Sequence, residues 1–355
     1  MNLNLSCPIN KLGYGVAATN ILSSLINNGV NVSLFPLNPY NMEADLKHHI
    51  NIQKAINQAN QFDKNAHSLR IYHQFSMAES IGKGKRVGLP FFELDRFNEI
   101  EKLHLSSLDT ILSASKWAAS IIKDQIGVES PVTPLGVDID VFKPSPVPKL
   151  GNTIFLCAGK WEKRKHSTIF EAFNLAFRHD DKVRLWMFCD NPVKQDENQK
   201  WETLFKSSPL ADKIMFINRK ETHGEVYDIM RNAHFGLFPA RGEGWNLEAL
   251  EMLAIGRKII ATNYSAHTEF CTNENSILLD GDGLEPAYDG IWFHGQGNWL
   301  KLGPEFINKF SLSMRSLYEQ HQKGEDIFNH EGVKTANQFT WNNTALKIID
   351  VLKEV

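Results

Sequence analysis

Short runs rich in β-branched and aromatic residues alternate with helix-period segments along almost the whole chain, and the alternation starts afresh once. This pattern limits the fold more than any other feature. Serial βα units close as parallel sheets with helices on both faces. The first series opens with "NLNLS" and "VAATNILSSLINNG". "NVSLF", "SLRIYHQF", "TILSA" and "SPVTPL" read as further strands, with "EIEKLHLSSL" and "SKWAASIIKDQIG" as helices between them. "VFKPSPVPKLGN" then carries Pro144, Pro146 and Pro148, poor material for a helix or a sheet interior, and reads as a linker over 143–151. The alternation restarts with "TIFLCAG", "STIFEAFNLAF", "VRLWMFCD", "KIMFIN", "EVYDIMRNA", "FGLFPA", "NLEALEMLAIG", "KIIATN" and "SILLD". The expectation is an α/β protein of two doubly wound, Rossmann-like domains, 1–145 and 146–339. A closing helix over 340–355 is expected to pack back on the first domain. Ligands in this architecture bind at the carboxyl ends of the strands, and two such domains imply a cleft there.

Composition narrows the function classes. The length of 355 residues suits two domains, and a hydrophobic share of 42% is globular. No apolar run reaches 18 residues, and residues 1–10 lack the charged start and long apolar stretch of a secretory signal. Cys7, Cys157, Cys189 and Cys271 are scattered without C-x-x-C spacing, which argues for a reducing compartment and against structural zinc or disulfides. A net charge of -3 gives no general attraction to nucleic acid. The expected setting is cytoplasmic, with peripheral attachment to a membrane left open.

Three stretches carry chemistry. In "KLGYGVAATN", Gly13-x-Gly15-x-x-Ala18 follows a strand and opens a helix, as a dinucleotide-binding turn does. The ribose-binding acid expected about 20 residues on is missing: "VNVSLF" runs into Pro36, Leu37 and Asn38, and the first carboxylate beyond is Glu43. The turn therefore reads as one that packs a helix on a sheet and offers backbone N–H groups to a ligand other than NAD or FAD.

In "ARGEGWNLEALEMLAIGRKIIATNYSAHTEF" (240–270), Gly242 and Gly244 permit a sharp turn, and Trp245 and Asn246 begin a helix that ends at Gly256. Free N–H groups and the positive dipole end at the helix mouth suit a diphosphate. Glu243 lies at that mouth. Glu251, seven residues after Gly244, faces the same side and can accept from the paired hydroxyls of a ribose. The plainer reading is that both are ordinary solvated acids, as Glu248 is taken to be. In "FLCAGKWEKRKHSTIFEAF", a turn at Gly159 brings Lys160 and Lys165 before a helix. Fixed cations there would stabilise the charge that a leaving diphosphate gains, although a solvated basic loop has the same letters.

Taken together, these residues resemble the retaining family 4 glycosyltransferases (group 1) of the GT-B fold. That family carries E-G-x-x-L-x-x-x-E followed by A-x-G-x-P-V-I-A. Here the letters are Glu243-Gly244-Trp245-Asn246-Leu247, then Glu251, then Ala254 to Ala261 with Lys258 in place of the proline. The family's G-R-L-x-x-x-K-G appears as Gly159, Lys160 and Lys165, with His166 where glycine is usual. Lys160 keeps the charge of the usual arginine but not its planar fork. "RIYHQF" places His73 where the family has a histidine beside the donor sugar. "FFELDRF", "SASKWAASII", "TPLGVDIDVFKP" and "NQFTWNNTALKII" add weaker matches.

The resemblance implies catalytic roles for Glu243, His73 and Lys165. It implies donor contacts from Lys160, Lys165, Gly244, Trp245, Asn246, Leu247, Glu251, Gly13 and Gly15. Glu243 would touch the donor sugar and Glu251 the ribose. The implied reaction moves a sugar from a nucleotide diphosphate sugar, a UDP- or GDP-sugar, to an acceptor hydroxyl with retention. No cofactor or metal is required: Asp138-Ile139-Asp140 matches D-x-D by letters only, just before the linker. The alternatives are a GT-B nucleotide-sugar epimerase or sugar phosphorylase, an NAD-dependent oxidoreductase, and a sugar-nucleotide-binding subunit without turnover. Acceptor choice is expected of loops around 38–68 and 74–92.

Overall fold

Each βα series closes into its own parallel sheet. The computed structural model describes residues 1–37, 42–149 and 151–355. The described chain divides into two compact units, Met1–Val137 with Gln338–Val355, and Asp138–Asn337.

The first unit contains β1 (Asn2–Cys7), α1 (Gly13–Asn27), β2 (Asn31–Pro36), α2 (His49–Ala59), β3 (His67–His73) and β4 (Arg86–Phe91). It continues through α3 (Glu99–Ser106), β5 (Thr110–Ile111) and α4 (Lys116–Ile126). The sheet order is β2-β1-β3-β4-β5, all parallel, so the strand order reverses between β1 and β3. Local chemistry sets the helix ends. Asn98 and Glu101 form a reciprocal capping box on α3, Ser115 caps α4, and Gly127 stops α4 at a φ of 83°.

Three readings of this unit need correction. The expected loops at 74–92 and 38–68 contain β4 and α2 (38–41 lie outside the described residues). Pro90 disguised β4, yet it lies past Gly88, the last β4 residue paired with β5, so its missing N–H breaks no bond on that side. "SPVTPL" is not a strand: Pro131 and Pro134 leave a single bridge between Ser113 and Val132.

The second unit begins with β6 (Thr153–Lys160), α5 (Lys163–His166), α6 (Ile169–Ala176), β7 (Val183–Asp190), α7 (Gln195–Lys206), β8 (Ile214–Phe216) and α8 (His223–Asn232). Then follow β9 (Phe235–Phe238), α9 (Leu247–Ala254), β10 (Lys258–Thr262), α10 (His267–Phe270) and β11 (Ser276–Leu279). An antiparallel hairpin of β12 (Leu284–Tyr288) and β13 (His294–Leu300) precedes α11 (Pro304–Gln322) and α12 (His330–Ala336). The sheet order β8-β7-β6-β9-β10-β11 is that of a doubly wound dinucleotide fold, reversing between β6 and β9. Phe155, Phe173, Phe177, Phe235 and Phe310 anchor its core, each at most 1% exposed.

α13 (Trp341–Glu354) belongs to the first unit. The Thr344 hydroxyl donates to the Pro134 carbonyl at 2.7 Å, and a side chain at Gly136 would collide with the Trp341 backbone. The proline-rich stretch is not a free linker. Arg257, fully buried, donates to the carbonyls of Ser145 at 2.7 Å and Pro146 at 3.1 Å, and so binds it to the second unit.

Candidate active site

The reversal between β6 and β9 is where this topology leaves a crevice outside the strand ends. β6 ends at Lys160, and the turn after β9 carries Arg241 to Trp245. The short helix α5 folds between them and brings five charges together. The Lys160 ammonium lies 2.5 Å from one oxygen of Glu162, whose other oxygen accepts from Arg164 at 2.8 Å. Arg164 also reaches Glu243 at 2.8 Å and the Gly242 carbonyl, and Lys165 stands 3.2 Å from Glu243. Glu162, Arg164 and Glu243 are buried, at 7%, 5% and 4% exposure, so the centre of this network is desolvated, and Glu248 also acts on Lys165.

Its electrostatics follow from that arrangement. Burial alone would raise the Glu243 carboxyl, but Arg164 and Lys165 overcome it and hold it at about 2. Burial alone would lower Lys165, yet Glu243 and Glu248 hold it above the ordinary lysine range. Both groups are therefore ionised at neutral pH, and Glu243 is a hydrogen-bond acceptor only. Gly159 adopts a φ of 126°, and an added Cβ would lie 3.3 Å from the Lys165 ammonium.

The turn carrying Glu243 is pinned from behind. The Glu243 N–H donates to Ser265 Oγ at 2.8 Å. Asn246 sits at a φ of 84°, caps α9 by accepting from the Ala249 N–H, and its amide is 2.8 Å from His267 Nε2. Burial pulls His267 down to about 4, so it stays neutral. Trp245 is a core group, 4% exposed with its ring 5.2 Å from Phe270, whereas Gly244 and Leu247 are half-buried at the start of α9.

Glu251 is buried on α9, and its carboxyl makes no hydrogen bond among the described residues. Burial raises it to about 8, countered in part by His223. An unfolded glutamate ionises near 4.5, so the folded state holds its proton longer and stability falls as pH rises from about 4.5 to 8. Glu251→Gln is expected to raise the melting temperature more at pH 8 than at pH 5. Equal shifts at both pH values would contradict this environment.

The other sequence-singled residues lie in the first unit, at the reversal between β1 and β3. The Tyr14 hydroxyl is 2.9 Å from His73 Nδ1, and the His73 ring stacks on Phe75 at 4.9 Å. Gly13 opens α1, whose first turn carries no acid and no side-chain cap. A side chain at Gly15 would overlap the Asn10 backbone, so this glycine is dictated by packing, whereas Gly13 faces open space.

Sequence reading missed Glu162, Arg164, Tyr14 and His267. Arg164 and Glu162 lay inside "KWEKRKH" and Tyr14 between the two glycines, but nothing in the letters separates a buried ion pair from a solvated one. A hollow of about 630 Å³ lined by Pro148, Asn152, Arg184 and His234 opens at the amino ends of β6 and β7, away from the charged network.

Residues 152–289 match the family described as glycosyl transferases group 1. An 83-residue stretch is 31% identical to the lipopolysaccharide core biosynthesis mannosyltransferase LpsB of Rhizobium meliloti (strain 1021), spanning 22% of this chain and only 23% of that protein. The whole chain superposes on sucrose-phosphate synthase from Thermosynechococcus elongatus with a TM-score of 0.73 at 13% identity, covering 98% of that chain. It superposes equally on Anabaena HepE in complex with UDP-glucose, TM-score 0.73 at 13% identity with full coverage of both chains. Lipopolysaccharide outer core galactosyltransferase WaaB gives 0.66 at 14% identity, covering 99% of this chain and all of that one. The fold is thus GT-B, and the group 1 match covers 138 of the 355 residues, all in the second unit. No helix among the described residues is long and apolar enough to cross a membrane.

Proposed function

We propose that this protein is a retaining, family 4 glycosyltransferase that moves a sugar from a nucleoside diphosphate sugar to an acceptor hydroxyl. The observation that carries this reading is the desolvated network of Lys160, Arg164 and Lys165 around Glu162 and Glu243, at the switch point of the second sheet. Cations fixed at a strand-end crevice suit a diphosphate, which becomes more negative as the glycosidic bond breaks. Lys165 and Lys160 would hold that leaving group, with Gly244, Asn246 and Leu247 at the mouth of α9. Glu243 is ionised and immobile, so it would accept hydrogen bonds from donor-sugar hydroxyls and could not protonate a leaving group. The acceptor proton would then pass to the departing phosphate on the same face, consistent with retention. Glu251, protonated when free, would meet the ribose hydroxyls. His73, oriented by Tyr14, and the turn at Gly13 and Gly15 would keep the donor and acceptor roles that the resemblance implies.

UDP-sugar complexes among the similar structures favour UDP as the donor nucleotide, with GDP the alternative. Epimerase, phosphorylase and NAD oxidoreductase readings gain no support from these similarities. Because the matched relative names a mannosyltransferase of lipopolysaccharide core synthesis, a glycan or lipid-linked acceptor is the first class to screen, and with it peripheral attachment to a membrane.

Thermal stabilisation by UDP, GDP, ADP and NAD tests the donor class. A ligand at a hundred times its Kd should add about 2.7 kcal/mol. The anomeric configuration of the product, read by NMR, tests retention. Stabilisation by NAD alone, or an inverted product, would each overturn the corresponding part of the reading.

Lys165→Ala should lower kcat/KM about 30- to 150-fold, the 2–3 kcal/mol scale of a lost charge-assisted hydrogen bond. An unchanged value would remove Lys165 from the phosphate site. Glu251→Ala should weaken nucleotide affinity more than it lowers kcat, since ribose contacts are shared by ground and transition states.

A further inference from the structure

Cys157, His166 and Cys189 meet at one buried point although nine and 23 residues separate them along the chain. The parallel register explains how. Cys157 pairs with Met187 and Gly159 with Cys189, so the two cysteines lie on one face of adjacent strands, two positions apart. α5 then carries His166 over them. Its Nε2 stands 3.3 Å from Cys189 Sγ, and the three potential ligand atoms all lie within 4.8 Å of one another. Exposure is 2%, 0% and 8% in chain order.

The spacing and chemistry suit a soft cation. With zinc–sulfur bonds of about 2.3 Å and zinc–nitrogen bonds of about 2.0–2.1 Å, tetrahedral ligand atoms stand about 3.5–3.8 Å apart. Two thiolates and a neutral imidazole cancel a divalent charge, so the filled site would be neutral, as a buried position demands. His166 Nδ1 is 3.2 Å from both the backbone N and the carbonyl of Glu162. The tautomer that donates to the carbonyl aims the Nε2 lone pair at the sulfurs, the outer hydrogen bond that metal-bound histidines use. The histidine that stands at 166, where the family pattern has glycine, supplies this third ligand.

We propose that Cys157, His166 and Cys189 bind one thiophilic divalent cation of the zinc class at the carboxyl ends of β6 and β7. Binding converts both thiols to metal-bound thiolates and releases two protons, with no change of oxidation state. The bound ion would tie α5, and with it Lys165, to the sheet.

The test uses the full chain, reduced and stripped with a chelator. Titration with Zn²⁺ against a chromogenic chelator should show one equivalent bound, with two protons released. Co²⁺ should give thiolate-to-metal charge transfer in the near ultraviolet. Cys189→Ser and His166→Ala should each weaken zinc at least tenfold, while the Cys7→Ser/Cys271→Ser double variant should keep the full stoichiometry. Absence of the cobalt band from the wild-type protein would overturn the proposal without any variant having to fold. So would zinc uptake unaffected by Cys189→Ser, or a Cys157–Cys189 disulfide that after reduction takes up no metal.

Discussion

Glu243→Ala is expected to lower kcat/KM by at least about a thousandfold and to destabilise the protein by about 3–5 kcal/mol. The two effects share one cause. Buried Arg164 at 2.8 Å and half-buried Lys165 at 3.2 Å pack against this carboxylate, and its removal leaves the two cations facing each other. The affinity for a nucleoside diphosphate should move the other way. A phosphate can replace the lost carboxylate as partner, so UDP binding should be kept or strengthened while turnover is lost. Glu243→Gln, which keeps the shape but not the charge, should follow the alanine variant in activity. Full activity in either variant would displace Glu243 from the donor sugar. A loss of UDP affinity equal to the loss of turnover would mean that Glu243 only maintains the fold. The same pairing sets an acid limit. The folded carboxyl sits at about 2 and an unfolded one near 4.5, so this contribution, about 3 kcal/mol, is present above pH 4.5 and fades as pH falls toward 2.

Arg257→Ala should cost about 3–5 kcal/mol without touching the donor site. The guanidinium is fully buried and donates to five carbonyls, those of Ala233, Ser145, Ile255, Pro146 and Arg231. Its loss removes a buried donor from each of these carbonyls, of which that of Ile255 still accepts from the Ser145 N–H. For a unit of this size the melting temperature should fall by about 6–20 °C. Arg257→Lys should recover little, because one ammonium cannot reproduce a planar fork serving carbonyls on several segments. A fall of under about 2 °C would show that water replaces the guanidinium. Nucleotide affinity of the folded Arg257→Ala protein should stay at the wild-type value, which separates this variant from Glu243→Ala.

How much was legible differs by element. Strand-and-helix alternation was enough to place β6, β7, β9, β10 and α9, because a parallel sheet covered on both faces needs apolar strands and amphipathic helices in series. α2 escaped because only Ile52 and Ala55 of its face are buried, while Ile50 is 81% exposed, so its apolar pattern is weak. β4 escaped because of Pro90, harmless only where the neighbouring strand has already ended. Within the site, Glu243, Lys160 and Lys165 stood out by charge beside glycines. Trp245, expected as a donor contact, has its ring packed against Phe270.

The sequence by itself determined two parallel βα series and charged residues at glycine turns, since both depend on local periodicity and conformational freedom. Only the tertiary structure decided which charges are buried and paired. Arg164 and Glu162 become a desolvated network because the strand order brings α5 against the turn after β9. Cys157, His166 and Cys189 become a cluster because parallel register sets two strands side by side. Such contacts arise between segments distant along the chain, and no local pattern of letters encodes their distance.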